Sequence, residues 1–401
     1  MAKKSLEYSN LFAKGLPPAS GRWKGHPPFN FIGGHADPDL QPIEGFVESS
    51  ARVFRKDGRG LATYNMDSGP QGYLPLREFV AEKLARHRGI QVSTDEVLIT
   101  SGSGQGISLI NDVLLESGDT VITELYSFAG VLSNLRRRQV NIVGIDTDSG
   151  GMRMDLLASA LEDLNQRGIT PKYIYTIPTL QNPTGTVMSM ERRREMLRLS
   201  REYGVPIFED ECYADLIFEG EWEHAIRSLD DANHVLHIGS FSKSLAPAIR
   251  LGYAVAPWEV LSQMLACKGD GGTGAMEQMI VGDYFHNHYE DHMEVLRSGL
   301  QRKLSVLIAA LREHFGPSVH FDPPRGGMFL WIRLPEGVDS RKLVEPAARE
   351  GIVFNPGPDW CAEPDKAANY MRLCYAFPSE ETIRQGVEKL AKVFHQEAGV
   401  S

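Results

Sequence analysis

From about residue 95 to residue 257, short apolar runs alternate with longer stretches that read as helices. The runs at 97–100, 120–123, 141–145, 173–177, 206–208, 235–238 and 251–256 have the length and composition of buried strands. Helices are expected between them, as at 104–115 and 190–203. Strand–helix alternation of this kind predicts an α/β domain built on a mostly parallel, seven-stranded sheet. In such a domain ligands bind beyond the carboxyl ends of the strands, so chemistry is expected there first.

The pattern changes on either side. The first sixty residues are rich in glycine and proline, as in Gly33-Gly34-His35-Ala36-Asp37-Pro38, and predict an arm or irregular lead-in. A helix is expected after Pro75, where apolar residues recur at helical spacing over 76–85. Past residue 277 a long, polar-faced helical region runs to about His314. Strand-like runs follow at 326–334 and 370–377, and a terminal helix from about Ser379. This predicts a smaller α+β domain. The expected division is 1–60 (arm and part of the small domain), 61–290 (large domain) and 291–401 (small domain).

Composition narrows the function classes. A chain of 401 residues with 42% apolar content can bury one large core and a smaller one. The net charge of -10, without a basic block, argues against non-specific nucleic-acid binding. A small anionic substrate is still allowed, because local arginines set the field in a cleft. Cys212, Cys267, Cys361 and Cys374 are scattered with no CxxC pair, so neither a metal site nor a disulfide framework is expected, and a reducing cytoplasm is. The charged start, Met1 to Glu7, has no apolar run behind it and does not read as a signal peptide. No run of eighteen apolar residues predicts a membrane span.

Four clusters sit at the expected strand ends. Ser101-Gly102-Ser103-Gly104-Gln105-Gly106 would let backbone approach an anion, and a helix beginning there would offer free N–H groups to phosphate. The same run also reads as an ordinary turn, and it lacks the Gly-Lys-Ser/Thr of a P-loop. Asn182-Pro183-Thr184-Gly185 is either a simple turn or a means of bringing the Asn182 N–H to a cofactor oxygen. In Phe208-Glu209-Asp210-Glu211-Cys212-Tyr213, Asp210 suits a protonated pyridine nitrogen, which makes the ring a better electron sink. Tyr213 suits the ring's phenolic oxygen. Carboxylates at a strand end also commonly just meet solvent. Lys243 follows the apolar run at 235–239, with Ser240 and Ser242 before it and Arg250 seven residues after. The hydroxyls and the guanidinium suit a phosphate. Desolvation or a nearby cation would lower the lysine's pKa and favour imine formation.

In this order and spacing, Asn-Pro-x-Gly, Asp-x-x-Tyr and Ser-x-Ser-Lys followed by Arg250 resemble the fold-type I pyridoxal-phosphate-dependent aminotransferases of class I/II. The branch most resembled contains the 2-aminoadipate and kynurenine aminotransferases, and the likeness runs from about Ile32 to the terminal helix. The resemblance implies pyridoxal 5'-phosphate as cofactor. Lys243 would hold it as a Schiff base and move the proton, Asp210 would bind the pyridine nitrogen, and Asn182 and Tyr213 would contact the ring oxygen. Ser103, Gly104, Gln105, Ser240, Ser242 and Arg250 would form the phosphate cup. Tyr126 would stack on the ring. Tyr64 would reach the phosphate of a neighbouring subunit, which implies a homodimer with composite sites. Arg372 would clamp the substrate α-carboxylate, with Asn182 and the Gly34 N–H close by. Ser244 and Ala248 stand where the family often has Thr and Gly. The glycine-rich stretch at 268–275 is a larger departure, and it bears on side-chain specificity.

The implied reaction moves an α-amino group from an amino acid to a 2-oxo acid, with 2-oxoglutarate or pyruvate expected. A β-lyase, decarboxylase or racemase would use the same scaffold. The fold also serves as the effector-binding module of transcriptional regulators, but these carry an N-terminal winged-helix domain, for which this chain starts the fold too early. Arg22, Trp23, Phe31, His35, Phe354 and Asn355 are candidate entrance residues, and Arg22 and Arg325 candidate partners for an acidic side chain.

Overall fold

The computed structural model describes residues 6–13, 16–220 and 222–399; the start at 1–5, which bears on a leader peptide, lies outside them. Seven strands form the main sheet. From edge to edge they are Val97–Thr100, Gly252–Val255, Val235–Ser240, Ile207–Asp210, Ile174–Thr176, Thr120–Glu124 and Asn141–Ile145. All neighbours are parallel except around Gly252–Val255, which runs antiparallel to both of its partners. Every residue of the first six strands is buried, while Asn141–Ile145, at the edge, is partly open. This explains why they appear in the sequence as continuous apolar runs: a parallel sheet covered on both faces has no solvent side to alternate with.

Local signals set the helix ends. Ser189 caps Met190–Tyr203 by accepting from the Arg192 N–H, and Gly204 ends that helix at a φ of 65°, where a side chain would be strained. Ser379 caps Glu380–Ala398 in the same way through the Thr382 N–H. The first sixty residues are less irregular than expected, because Ile43–Asp57 is a helix. It was obscured by its polarity: only Ser49 and Val53 are buried in it.

A helix of 40 residues, Ala275–His314, passes without interruption through positions 290 and 291 and packs on Ile43–Asp57, Leu74–Arg88 and Glu380–Ala398. Beyond it, Phe329–Arg333, Tyr370–Cys374 and Asn355–Pro356 form an antiparallel sheet in that order. Its register sets Arg372 between Trp331 and Asn355. Phe29–Asn30 pairs in parallel with Ile352–Val353, tying the start of the chain to this smaller sheet. Among the described residues no helix is long and apolar enough to cross a membrane, and no cluster of His, Cys, Asp or Glu suits a metal.

Candidate active site

Two central strands extend further than their apolar runs suggested, to Asp210 and to Ser240. Ladder pairing carries them on, with Asp210 opposite Ile238 and Ser240 opposite Gly252. Across the intervening Gly252–Val255 strand, Val97–Thr100 turns at Gly102, at a φ of 76°, into the helix Ser103–Leu114. A cavity of about 430 Å³ opens at these ends. Ser103, Gly104, Asp210, Ser240, Ser242, Lys243 and Arg250 line it from the large sheet; Gly34, Asn182, Tyr213 and Arg372 complete the wall.

Lys243 Nζ donates to the Gly34 carbonyl at 2.9 Å. A Cβ at Gly34 would fall on that amine, so the backbone passes the lysine as closely as only glycine allows. Burial lowers the Lys243 pKa, and the charges of Arg372 and Arg250 lower it further. On the same side the Ser103 and Gly104 N–H groups begin a helix, where the first turn has no acceptor of its own. The Ser242 N–H donates to Ser240 Oγ at 3.1 Å. Arg250 bends back over this turn, donating to the carbonyls of Pro247 at 3.0 Å and Ser101 at 3.3 Å.

Asp210 accepts from the Tyr175 hydroxyl at 2.7 Å and from the Cys212 N–H at 3.1 Å. Both donors are neutral, and burial raises the carboxyl's pKa. The residue after it, Glu211, is held from behind by Arg88 at 2.5 Å and Arg193 at 3.3 Å. Arg372 donates to Asn182 Oδ1 at 2.8 Å, Asn355 Oδ1 at 2.8 Å and the Gly33 carbonyl at 3.1 Å. Asn182 in turn donates to the Tyr213 hydroxyl at 3.1 Å. The guanidinium lies between the rings of Phe329, at 3.8 Å, and Trp360, at 3.6 Å. Burial brings its pKa down to about 10, so it stays a cation at neutral pH. Its Nε is buried without a partner, and its hydrogen-bond acceptors are all neutral.

Two expected residues, Gln105 and Tyr126, are elsewhere, whereas Tyr64 was expected at a partner's site. Gln105 is turned away: its amide donates to Asp270 at 2.7 Å and accepts from the Ser101 N–H at 2.8 Å. Tyr126 packs against Tyr370 at 5.2 Å and Trp331 at 5.7 Å, on a separate outer groove. A bridge from Tyr126 to Cys361, and the Ser127 N–H on the Trp360 carbonyl, fasten that turn and direct the ring outward. Two residues on, Phe128 lines the cavity instead. Tyr64 is 87% exposed and lies outside this chain's cavity, next to Gly271. Of the entrance candidates, Asn355 lines the cavity, whereas Phe31 and Phe354 are in the core. Arg325 pairs with Glu223 at 3.1 Å on the outer groove. The sequence reading also missed Cys212, Phe329 and Trp360, which line the cavity; Cys212 stood inside a motif already singled out.

Residues 38–390 match the model of the family described as aminotransferase class I and II. The protein belongs to that family. The chain is 32% identical over 371 residues to aromatic-amino-acid aminotransferase 1 of Thermococcus litoralis, covering 92% of this chain and 88% of that protein. It superposes on the multiple substrate aminotransferase of Thermococcus profundus with a TM-score of 0.90 at 30% identity, covering 99% of this chain and all of the other. The α-aminoadipate aminotransferase of Thermus thermophilus, solved with N-(5'-phosphopyridoxyl)-L-leucine, gives a TM-score of 0.88 at 30% identity over 99% of this chain and all of the other. The architecture is therefore that of a fold-type I aminotransferase of the aminoadipate/kynurenine-like branch, and the general reaction is pyridoxal-phosphate-dependent amino transfer.

This aminotransferase's own residues fit the cofactor. A desolvated carboxylate held only by neutral donors, Asp210, suits a cationic ring nitrogen. The helix start at Ser103, the two serine hydroxyls and Arg250 suit a phosphate. Lys243, with its lowered pKa, suits an imine.

Proposed function

We propose that this enzyme takes the α-amino group from an amino acid and gives it to a 2-oxo acid, 2-oxoglutarate or pyruvate, in two half-reactions that share one cavity (EC 2.6.1). The observation that carries this reading is Arg372: a buried cation with neutral partners and a free Nε, set in the same cavity as Lys243 and Asp210.

Pyridoxal phosphate, when bound, supplies the sink for the α-carbon's electrons. The protein supplies the rest. Arg372 binds the α-carboxylate of both donor and acceptor, and Asn182, Asn355 and the two flanking rings hold the guanidinium still. Lys243 would hold the cofactor, and its Nζ would accept the substrate's α-proton; its lowered pKa leaves more of the neutral base that this needs. Asp210 would carry a negative charge against the ring nitrogen. Asn182 and Tyr213 would contact the ring oxygen, Ser103, Gly104, Ser240, Ser242 and Arg250 would hold the phosphate, and Phe128 would cover the ring face; all of them line the cavity. The Gly34 N–H would lie near the substrate α-carboxylate.

We also propose a homodimer in the cytoplasm, with Tyr64 completing the partner's phosphate site. Ile43, Val47 and Leu61 are exposed large apolar residues that a second copy would cover. Tyr64 is followed by Asn65, Met66 and Asp67, all at positive φ. Such backbone costs about 1–2 kcal/mol per residue and persists where the surroundings require it. We propose the division 1–60, 61–290 and 291–401, with the helix Ala275–His314 joining the two larger parts.

A single-turnover experiment tests the reaction. Loaded enzyme given a donor without acceptor should release one equivalent of 2-oxo acid per site and lose its visible band, which a 2-oxo acid then restores. Continuous release of ammonia and pyruvate from a β-substituted donor would make it a lyase.

A further inference from the structure

Tyr175 is fully buried in the middle of the main sheet, on the strand next to Asp210. It lies opposite Phe208 in register, and its ring meets Phe208 edge-on at 5.4 Å. From there the hydroxyl reaches Asp210 Oδ2 at 2.7 Å. The other oxygen, Oδ1, takes the Cys212 N–H at 3.1 Å. The carboxylate thus has the Cys212 N–H and thiol as donors from its own loop, the Tyr175 hydroxyl from a neighbouring strand, and His237 as a nearby titratable group.

We propose that Tyr175 is a positioning residue that holds Asp210 in a fixed orientation as an anion facing the cavity; this rests on the pyridoxal-phosphate reading above. Burial pushes the Asp210 carboxyl toward its neutral form, and the bonds from Cys212 and Tyr175 pull it back. Tyr175 cannot exchange roles with it, because burial and the adjacent carboxylate hold the phenol well above its usual pKa and keep it a donor. Without this bond Asp210 would retain the proton that belongs on the ring nitrogen. A ring with less positive charge repels a proton on the Lys243–cofactor linkage less, so that linkage would titrate at higher pH.

The test is Tyr175→Phe, which keeps the ring and removes the donor, in the loaded full-length enzyme. The pH midpoint of the visible band is expected to rise, and kcat to fall about tenfold with donor KM little changed, as for losing a hydrogen bond to a charged group. In an Asp210→Asn background the tyrosine substitution should then have no further effect. An unmoved midpoint in Tyr175→Phe, or an equal loss in both backgrounds, overturns the proposal. Should Tyr175→Phe fail to fold, 3-fluorotyrosine at position 175 is a stronger donor of nearly the same size and should lower the midpoint; no movement counts against the proposal. A protein that binds no pyridoxal phosphate and shows no visible band fails the proposed function instead, whereas a normal band indifferent to Tyr175 fails this inference alone.

Discussion

Arg372 Nη1 donates to Asn182 Oδ1 at 2.8 Å, joining the middle strand of the small sheet to the turn that follows the Tyr175 strand. The two residues are 190 positions apart in the chain. The bond spans the wall of the cavity that also holds Lys243 and Asp210. Arg372→Ala should lower kcat/KM about 100-fold for every donor and acceptor, equivalent to about 2.7 kcal/mol of lost binding to a charged partner. Steady-state kinetics with one acidic and one neutral donor check this; a loss confined to the acidic donor would assign Arg372 to the side chain.

Phe128, and not Tyr126, is on the cavity wall. Phe128→Ala should weaken pyridoxal-phosphate binding about 3–10-fold, the range for one aromatic stacking contact. Tyr126→Ala should leave that binding within about twofold, since a residue packed elsewhere contributes nothing to it. Equilibrium titration followed by protein fluorescence distinguishes the two; the reverse ranking would restore Tyr126 to the ring.

Gly34→Ala places a methyl group on Lys243 Nζ. The lysine must then move, at a cost of about 1–3 kcal/mol for overpacking. The expected result is a weaker visible band at a given cofactor concentration, with thermal unfolding of the unloaded protein little changed. An unaltered titration would show that Lys243 does not need this approach.

Glu124 is buried at the end of its strand, accepting from Thr176 Oγ1 at 2.6 Å and the Ile177 N–H at 2.9 Å. Burial pushes its pKa up to about 7, above its usual range. The folded state therefore binds the proton more tightly than the unfolded one. Its contribution to stability is fully present below about pH 4.3, the ordinary glutamate pKa, and is lost as pH rises through 7. Denaturant unfolding from pH 4 to 8 should show this loss in the wild type and a smaller one in Glu124→Gln. Parallel curves would contradict it.

The sheet and the ends of its strands were legible because a doubly covered parallel sheet leaves continuous apolar runs, and Asp210, Ser240 and Lys243 follow directly from them. Arg372 was legible only through the family resemblance, since its alternating strand also allowed a surface place. Tyr126 and Gln105 were misplaced for one reason. Their orientations are set by distant residues, Cys361 and Trp360 for the first and Asp270 for the second, which local pattern does not reveal. Trp360 was missed because it ends a four-residue 3-10 helix, too short to show a periodicity.

The central claim is that Lys243 holds the cofactor. Borohydride reduction of the loaded protein, followed by peptide mass spectrometry, tests it directly. The account predicts one phosphopyridoxyl group per chain, on the peptide that contains Lys243, and none in Lys243→Ala. A label on another lysine, or the same labelling in Lys243→Ala, would contradict it.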